Sequence, residues 1–403
     1  MSAYLMCAIV CIGLAPGAAY ADRASVEQAL AEMERAVLAG DGAAYLALVD
    51  KSDANFAKEQ ENWAADLKRH VPTEFALRVA EDGGKESERA AAEFGEREAK
   101  FELAMEWTMK GLGRGGKDVH KNVSFPARFV LDDAGGKWLF AGEDWLVMEE
   151  PKGKSGAGVR VFYFAGYEEA ARNIVDVLPA VREHVDAGFE VKIDRVQEVK
   201  VYPAMAHLQA SIYLSYVDGL SGWNEPGEAI KLRVKPDAAA AMMRSLLAHE
   251  YGHVATFEKG PKATDMPWWV LEGVAELAAE EYAKNGDKVR TRVRGWMEAD
   301  TLAPWEEISD FRNTPKKWGG HVYTQGHAML GYVSEKYGRA KRNAWLTAMG
   351  HGKTIDEASG AAFGVGFDAV DAGWRKWLAE GKELETPMRD ADQTMPKSTP
   401  KPE

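Results

Sequence analysis

The chain has almost no cysteine: two among 403 residues, Cys7 and Cys11, both within the first twenty-one. Once such a leader is removed no disulfide can form, so the fold must rest on apolar burial alone. A hydrophobic content of 46% over 403 residues supplies material for two cores rather than one. Basic excess is lacking too. A formal charge of −13 excludes the footprint of a nucleic-acid binder and gives no attraction to anionic lipid. Beyond the leader no uninterrupted apolar run reaches the length of a membrane span, and neither internal repeats nor heptads stand out.

Residues 1–21 carry no charged side chain, and their apolar run, 4–14, is too short to span a bilayer comfortably. Pro16-Gly17 breaks the run, and Ala19-Tyr20-Ala21 before Asp22 is a small-x-small cleavage site. The segment therefore reads as a secretory signal peptide, which predicts an exported protein, periplasmic or extracellular. Its n-region has no Lys or Arg, so the free amino terminus is its single positive charge, and an uncleaved anchor is the alternative. Val10 before Cys11 fits poorly with lipidation.

Helix patterns come next, at 26–38, 42–49 and 56–70, the first with a capping signal in Ser25-Val26-Glu27-Gln28. Alternating segments at 74–80, 99–110, 122–132 and 137–149 predict antiparallel strands, with Asp133-Ala134-Gly135-Gly136 as a hairpin turn. Residues 22–150 are thus expected to form an α+β unit with helices on one face of a curved sheet. Pro151-Lys152-Gly153-Lys154-Ser155-Gly156-Ala157-Gly158 reads as a linker. A second unit, 159–381, follows, and 382–403 is prolyl and without apolar periodicity, as in a solvated tail.

The second unit holds the chemistry. In His249-Glu250-Tyr251-Gly252-His253 the two histidines lie at i and i+4, so on a helix both imidazoles can reach one ion. Glu250 projects beside them, where a carboxylate can take a proton from water. Asp237 after Pro236 is a candidate N-cap for this helix, Gly260-Pro261 its stop, and Met242, Leu246, His249 and His253 line one side of it. After eighteen intervening residues comes Glu272, on a second predicted helix over 268–282. Glu272 is the expected third ligand; Glu276, one turn on, suits an acceptor that orients a ligating histidine, His249. Glu280 and Glu281 read as a solvated acidic face. The strand expected at 229–234, just before the first helix, is placed at the edge along which a peptide would lie. His70, His120, His184, His207 and His351 show no ligand spacing and read as structural or surface groups.

The HExxH-x18-E pattern resembles the gluzincin metallopeptidases. Its spacing matches the aminopeptidase-N-like branch. The run Pro267-Trp268-Trp269-Val270-Leu271-Glu272-Gly273-Val274-Ala275-Glu276 looks more like the bacterial peptidase MA-like domains. The resemblance covers about 159–381 and implies a thermolysin-like mixed sheet, a zinc helix and a mostly helical C-terminal subdomain. It also implies Zn2+ on His249, His253 and Glu272, a peptide or protein substrate, and hydrolysis by metal-activated water with Glu250 as general base. The family's proton donor sits on a later helix that begins near a tyrosine and ends at Tyr-Gly. Here that helix ends at Tyr337-Gly338, and Tyr323 is the favoured donor, with His327 and His321 behind it. One motif departs: where aminopeptidases carry G-x-M-E-N, this chain has Ser221-Gly222-Trp223-Asn224-Glu225-Pro226. That leaves endo- against exopeptidase action open. The N-terminal unit is similar to nuclear-transport-factor-2-like and SnoaL-like cones in element order, a likeness that gives no chemistry by itself; lacking a constellation of paired acids and histidines, the unit is read as accessory. The competing expectation is a catalytically silent, exported zinc-fold binding or scaffold protein.

Overall fold

A computed structural model describes residues 23–80, 93–132, 136–150 and 158–380. The leader at 1–21, Asp133-Ala134-Gly135 of the expected turn, 151–157 of the expected linker and the tail at 382–403 lie outside the described residues. The chain is α+β, and its internal packing divides it into two units. One runs to Asp144 and includes Gln209–Val217; the other comprises Trp145–Leu208 and the chain from Asp218 onward.

The first unit opens with α1 (Arg23–Leu38), α2 (Gly42–Leu46) and α3 (Ala54–Leu67). Ser25 lies inside α1 rather than capping it, whereas Asp41 and Asp53 do cap α2 and α3 through their carboxylates. Strands β1 (Glu74–Val79), β2 (Glu93–Phe94), β3 (Glu98–Met109), β4 (Val119–Leu131) and β5 (Trp138–Glu143) form an antiparallel sheet of order β1-β3-β4-β5, with β2 on β3. A register shift between Ala127 and Phe129 bends β4 against β5. Alternate residues Phe101, Leu103, Phe125 and Phe129 point into a core shared with Leu30, Met33 and Trp63 of the helices.

Two boundaries differ from the sequence reading. The strand expected over 137–149 is broken: β5 ends at Glu143, and β6 (Leu146–Glu149) pairs antiparallel with β7 (Val159–Tyr163) in the other unit's sheet. Trp145 sets the break, since its ring packs on Phe164 at 4.3 Å and edge-on to Tyr202 at 5.4 Å. The segment 209–217, which no composition shift marks, belongs to the first unit. There the Trp63 and Trp107 indoles donate to the carbonyls of Ala210 and Leu214, and Ser215 Oγ donates to Asp66.

In the second unit the sheet continues through β8 (Gln197–Tyr202), reached by α4 (Glu168–Phe189). After α5 (Met205–Ile212) come β9 (Gly222–Trp223) and β10 (Ile230–Arg233). The strand order is β6-β7-β8-β10-β9, parallel at β7-β8 and β8-β10 and antiparallel at both ends. The expected edge strand at 229–234 is therefore interior: β10 is flanked by β8, and the short β9 covers its other side. Two residues, too few to read as a strand, Gly222-Trp223, form that edge.

Helices complete the unit: α6 (Ala240–Phe257), α7 (Trp268–Ala283), α8 (Gly286–Glu298), α9 (Gly319–Tyr337), α10 (Arg339–Gly350), α11 (Ile355–Phe363) and α12 (Phe367–Ala379). Asp237 does not cap α6, which starts at Ala240 behind Ala239 with no side-chain cap. Met242 is also turned away from the core, 52% exposed; the buried side of α6 is Met243, Leu247, Tyr251 and Val254. The reason is that Tyr251 anchors that side to α4, its hydroxyl donating to Asp186, so the histidine side is left half-buried.

Small residues let α6, α7 and α9 approach closely. A methyl on Gly252 would lie 2.9 Å from Ala275 Cα and 2.9 Å from Ala278 Cβ. One on Gly273 would lie 2.7 Å from the Gly326 carbonyl carbon, and one on Gly326 2.3 Å from the Trp269 carbonyl oxygen. The obstructing atoms are mostly backbone and cannot rotate aside. Gly326→Ala is therefore expected to destabilise the chain by about 1–3 kcal/mol, the usual cost of overpacking, measured by denaturant unfolding. A change within error would show that the two helices can part without loss.

Candidate metal centre

The i,i+4 spacing on α6 stacks His249 above His253, with ring centroids 5.1 Å apart. Helix α7 crosses that face at the Gly252–Ala275 contact and brings Glu272 in front of both rings. Glu272 Oε2 is 3.4 Å from His249 Nε2 and 3.5 Å from His253 Nε2. The three donor atoms lie within 4.8 Å of one another, and among the described residues no other His, Cys, Asp and Glu group clusters in this way.

These distances discriminate between a hydrogen-bonded cluster and a ligand set. N–H···O bonds centre near 2.9–3.0 Å, and Glu272 Oε2, though buried, has no hydrogen-bond partner. Donors about 2.0–2.1 Å from one tetrahedral ion sit roughly 3.3–3.4 Å apart. The two separations from Glu272 Oε2 fit that value. Two imidazoles and a carboxylate are also the donor types a zinc site uses, with a further position left for water.

The other groups around the triad fall into place. Glu276 Oε1 lies 3.4 Å from His249 Nδ1, on the far side of the ring from Glu272, so the two carboxylates bracket His249. Glu272 is itself held: Trp268, one turn earlier, donates its indole N–H to Glu272 Oε1 at 2.9 Å. Sequence reasoning missed that bond, although Trp268 and Glu272 stand at i,i+4. Glu250 is 4% exposed, beneath the edge strand; a methyl on Gly222 would fall 2.1 Å from its Oε1. Gly222 was noted in the sequence as a departure from a motif, and its contact with Glu250 could not be read there.

Electrostatics follow from the crowding. Burial lifts the Glu250 carboxyl above its ordinary value, the His249 and His253 imidazoles pull the other way, and Glu272 adds to the rise. Burial acts in the same sense on Glu272 but is outweighed by His253 and His249, which hold it well below the carboxylate range. On His249 burial disfavours the charged ring, yet Glu272, Glu276 and Glu250 together raise it well above its ordinary value.

The three donor candidates on α9 separate cleanly. Tyr323 stacks over His249 at 6.3 Å and is 36% exposed, so the structure places it at the cluster. His321 does not reach it: its ring stacks on Trp296 at 3.9 Å and its Nε2 meets the Thr301 carbonyl at 3.1 Å. His327 is buried with Nε2 3.1 Å from Glu280 Oε2. Glu280 is accordingly not the solvated group expected from sequence; its other oxygen accepts from the Gly286 N–H at the start of α8. An acidic run on one helix hid a side chain facing inward.

No protein-family profile matches the chain, and no curated protein matches it in sequence. Among solved structures it is similar to an M1 zinc metallopeptidase from Deinococcus radiodurans, at 15% identity and a TM-score of 0.37, over 79% of this chain and 63% of that one. A mutant of that enzyme gives 14% identity and a TM-score of 0.39, over 79% and 64%. The mutant bound to a Tyr-Ser-Ala substrate gives 15% and 0.38, over 77% and 62%. The chain thus spans less than two thirds of the length of these structures. So shallow an overlap places no residue, and the ligand geometry stands on the distances above.

Trp268→Phe, which removes the indole donor and keeps an aromatic ring, is expected to weaken zinc affinity by roughly 10–100-fold. Competition with a fluorescent chelator measures it. Unchanged affinity would mean that Glu272 needs no help to hold its rotamer.

Proposed function

We propose that the chain is an exported zinc-dependent peptidase of the gluzincin type, which hydrolyses peptide bonds with His249, His253 and Glu272 as metal ligands. The observation that carries this reading is the convergence of those three donors within 4.8 Å, with Glu272 Oε2 3.4 and 3.5 Å from the two ring nitrogens and a buried carboxylate, Glu250, beside them. A zinc ion held by these residues would supply Lewis acidity toward a carbonyl and a water. Glu250 would take a proton from the attacking water and deliver it to the leaving amine; burial favours this by keeping its pKa above the ordinary carboxyl value. Tyr323, stacked over His249, donates from its neutral hydroxyl to the oxyanion that forms. Glu276 holds the far nitrogen of His249 and so keeps the near one directed at the ligand point. Export rests on the leader read in residues 1–21.

Two substitutions test the reading. Glu250→Gln keeps the shape and removes the base; zinc content should remain at one ion per chain while cleavage of a peptide library falls by about 10²–10⁴-fold. Retained cleavage would remove Glu250 from the mechanism. Zinc in both proteins with no cleavage by either would instead favour the silent zinc-fold protein.

Gly222→Ala pushes against Glu250 from the edge strand without touching a ligand. Cleavage should fall by about 100-fold, the scale set by an ångström of misplacement, with zinc content unchanged. A fully active Gly222→Ala would show that the Glu250 carboxylate works from another position.

A further inference from the structure

We infer that the buried contact between His327 and Glu280 is a register lock: it fixes α9 along α7, and His327 is thereby the residue that positions Tyr323 over His249. The role of Tyr323 rests on the peptidase reading, whereas the lock itself does not. His327 is 1% exposed and Glu280 9%, and His327 Nε2 lies 3.1 Å from Glu280 Oε2. Tyr323 and His327 stand at i,i+4 on α9, as Glu276 and Glu280 do on α7. Tyr323 stacks over His249, whose Nδ1 faces Glu276, and one turn further along both helices His327 meets Glu280. Two successive turns of α9 are thus matched to two successive turns of α7.

The close approach of the two helices does not by itself hold that match. The Gly273–Gly326 contact sets how near they come, but backbone against backbone offers few side-chain ridges to stop one helix sliding past the other. The Leu330 side chain that lies over Gly273 is apolar, and apolar attraction is non-directional. Gln325 ties α9 to the backbone of Ala303 at 3.0 and 3.1 Å. Ala303 lies outside α7, so that pair leaves the register against α7 to His327.

A buried polar contact acts differently. Glu280 is anchored through its other oxygen, which accepts from the Gly286 N–H at 2.8 Å where α8 begins. Its Oε2 faces His327 without the alignment of a hydrogen bond, and His327 Nδ1, also buried, has no partner. His327 makes no further hydrogen bond or ion pair among the described residues. A slip of α9 would take from the ring its one polar contact and leave Glu280 Oε2 buried alone, at the desolvation cost of both groups. Pairs of this kind add little net stability, and fixing register is their best-supported use.

The test uses the zinc-loaded full chain and reads register and turnover separately. Cys7→Ser and Cys11→Ser remove the chain's two cysteines. Ala283→Cys on α7 and Lys336→Cys on α9, both exposed positions, then carry spin labels, and pulsed electron resonance between them should give one narrow distance. His327→Leu alone would strand a buried carboxylate, so it is combined with Glu280→Gln, whose amide oxygen still accepts from the Gly286 N–H. In this double variant the distance should shift or broaden. His327→Gln, whose amide nitrogen stands in for Nε2, should keep it as in wild type. On peptides the double variant should lose roughly 10–100-fold in kcat, with KM and zinc content unchanged. Added to Tyr323→Phe, the same two substitutions should cost nothing further. A distance distribution that superimposes on wild type overturns the lock. A shifted register with unchanged kcat, or a full additional loss in Tyr323→Phe, overturns the positioning of Tyr323. If wild type cleaves no peptide the peptidase reading falls, while the distances still decide the lock: a shift upholds it and no shift overturns it.

Discussion

The close approach of α6 and α7 is the constraint on which the rest of the second unit depends. Gly252 stands three residues after His249 and one before His253, so the point of nearest contact lies between the two histidines. Ala275 on the opposing helix stands three residues after Glu272 and one before Glu276. The faces that touch are therefore the faces that carry the chemistry. With a larger residue at 252 the helices would separate, and the Glu272 carboxylate would leave the range at which one ion can meet all three donors. The Gly273–Gly326 contact repeats the device one layer out, and through it α9 brings Tyr323 over His249. Backbone-to-backbone packing of this kind has two merits here: it is short, and it leaves no flexible side chain whose rotation could change the spacing.

Around that frame each polar group of the cluster is positioned by another. Glu276 faces one nitrogen of His249, the Trp268 indole holds one oxygen of Glu272, and the edge strand at Gly222 confines Glu250. Trp268 serves twice, since the residue that orients a ligand by its N–H also presents its ring toward Phe311 and Tyr323. The orientation of the Glu272 carboxylate and the packing of the Phe311 and Tyr323 rings are consequently linked through a single side chain. Removing the indole disturbs both.

Where local periodicity sets structure, the sequence was readable. An i,i+4 pair of histidines can share an ion on any regular helix, and an acid on the next helix is brought to them by one crossing. His249, His253 and Glu272 are accordingly brought together as expected. The long alternating runs of β3 and β4 were readable for the same reason. What was missed depends on partners distant in sequence. Asp237 has the chemistry of a cap, but α6 starts at Ala240 behind Ala239 and takes no side-chain cap. Glu280 sits in an acidic run and still faces inward, because His327 and the Gly286 N–H lie beneath it. The apolar alternation through Glu149 does not show that Trp145 belongs with Phe164 and Tyr202, and β9 is too short to have a period at all.

Charge explains why such a cluster suits a cation in particular. Three carboxylates, Glu250, Glu272 and Glu276, converge on two imidazoles in a largely buried space. If both rings were neutral the group would hold three negative charges with no counterion, an arrangement that low-dielectric surroundings penalise heavily. The field they create is visible on His249, whose proton is held well above its ordinary pKa although burial alone would expel it. A divalent ion held by Glu272 and both rings would answer the same field. It would also compete with the proton on His249, because a ligating ring nitrogen must be free. The three carboxylates differ accordingly: burial prevails at Glu250, which is raised, whereas the imidazoles prevail at Glu272 and Glu276, which are held below the ordinary carboxyl value.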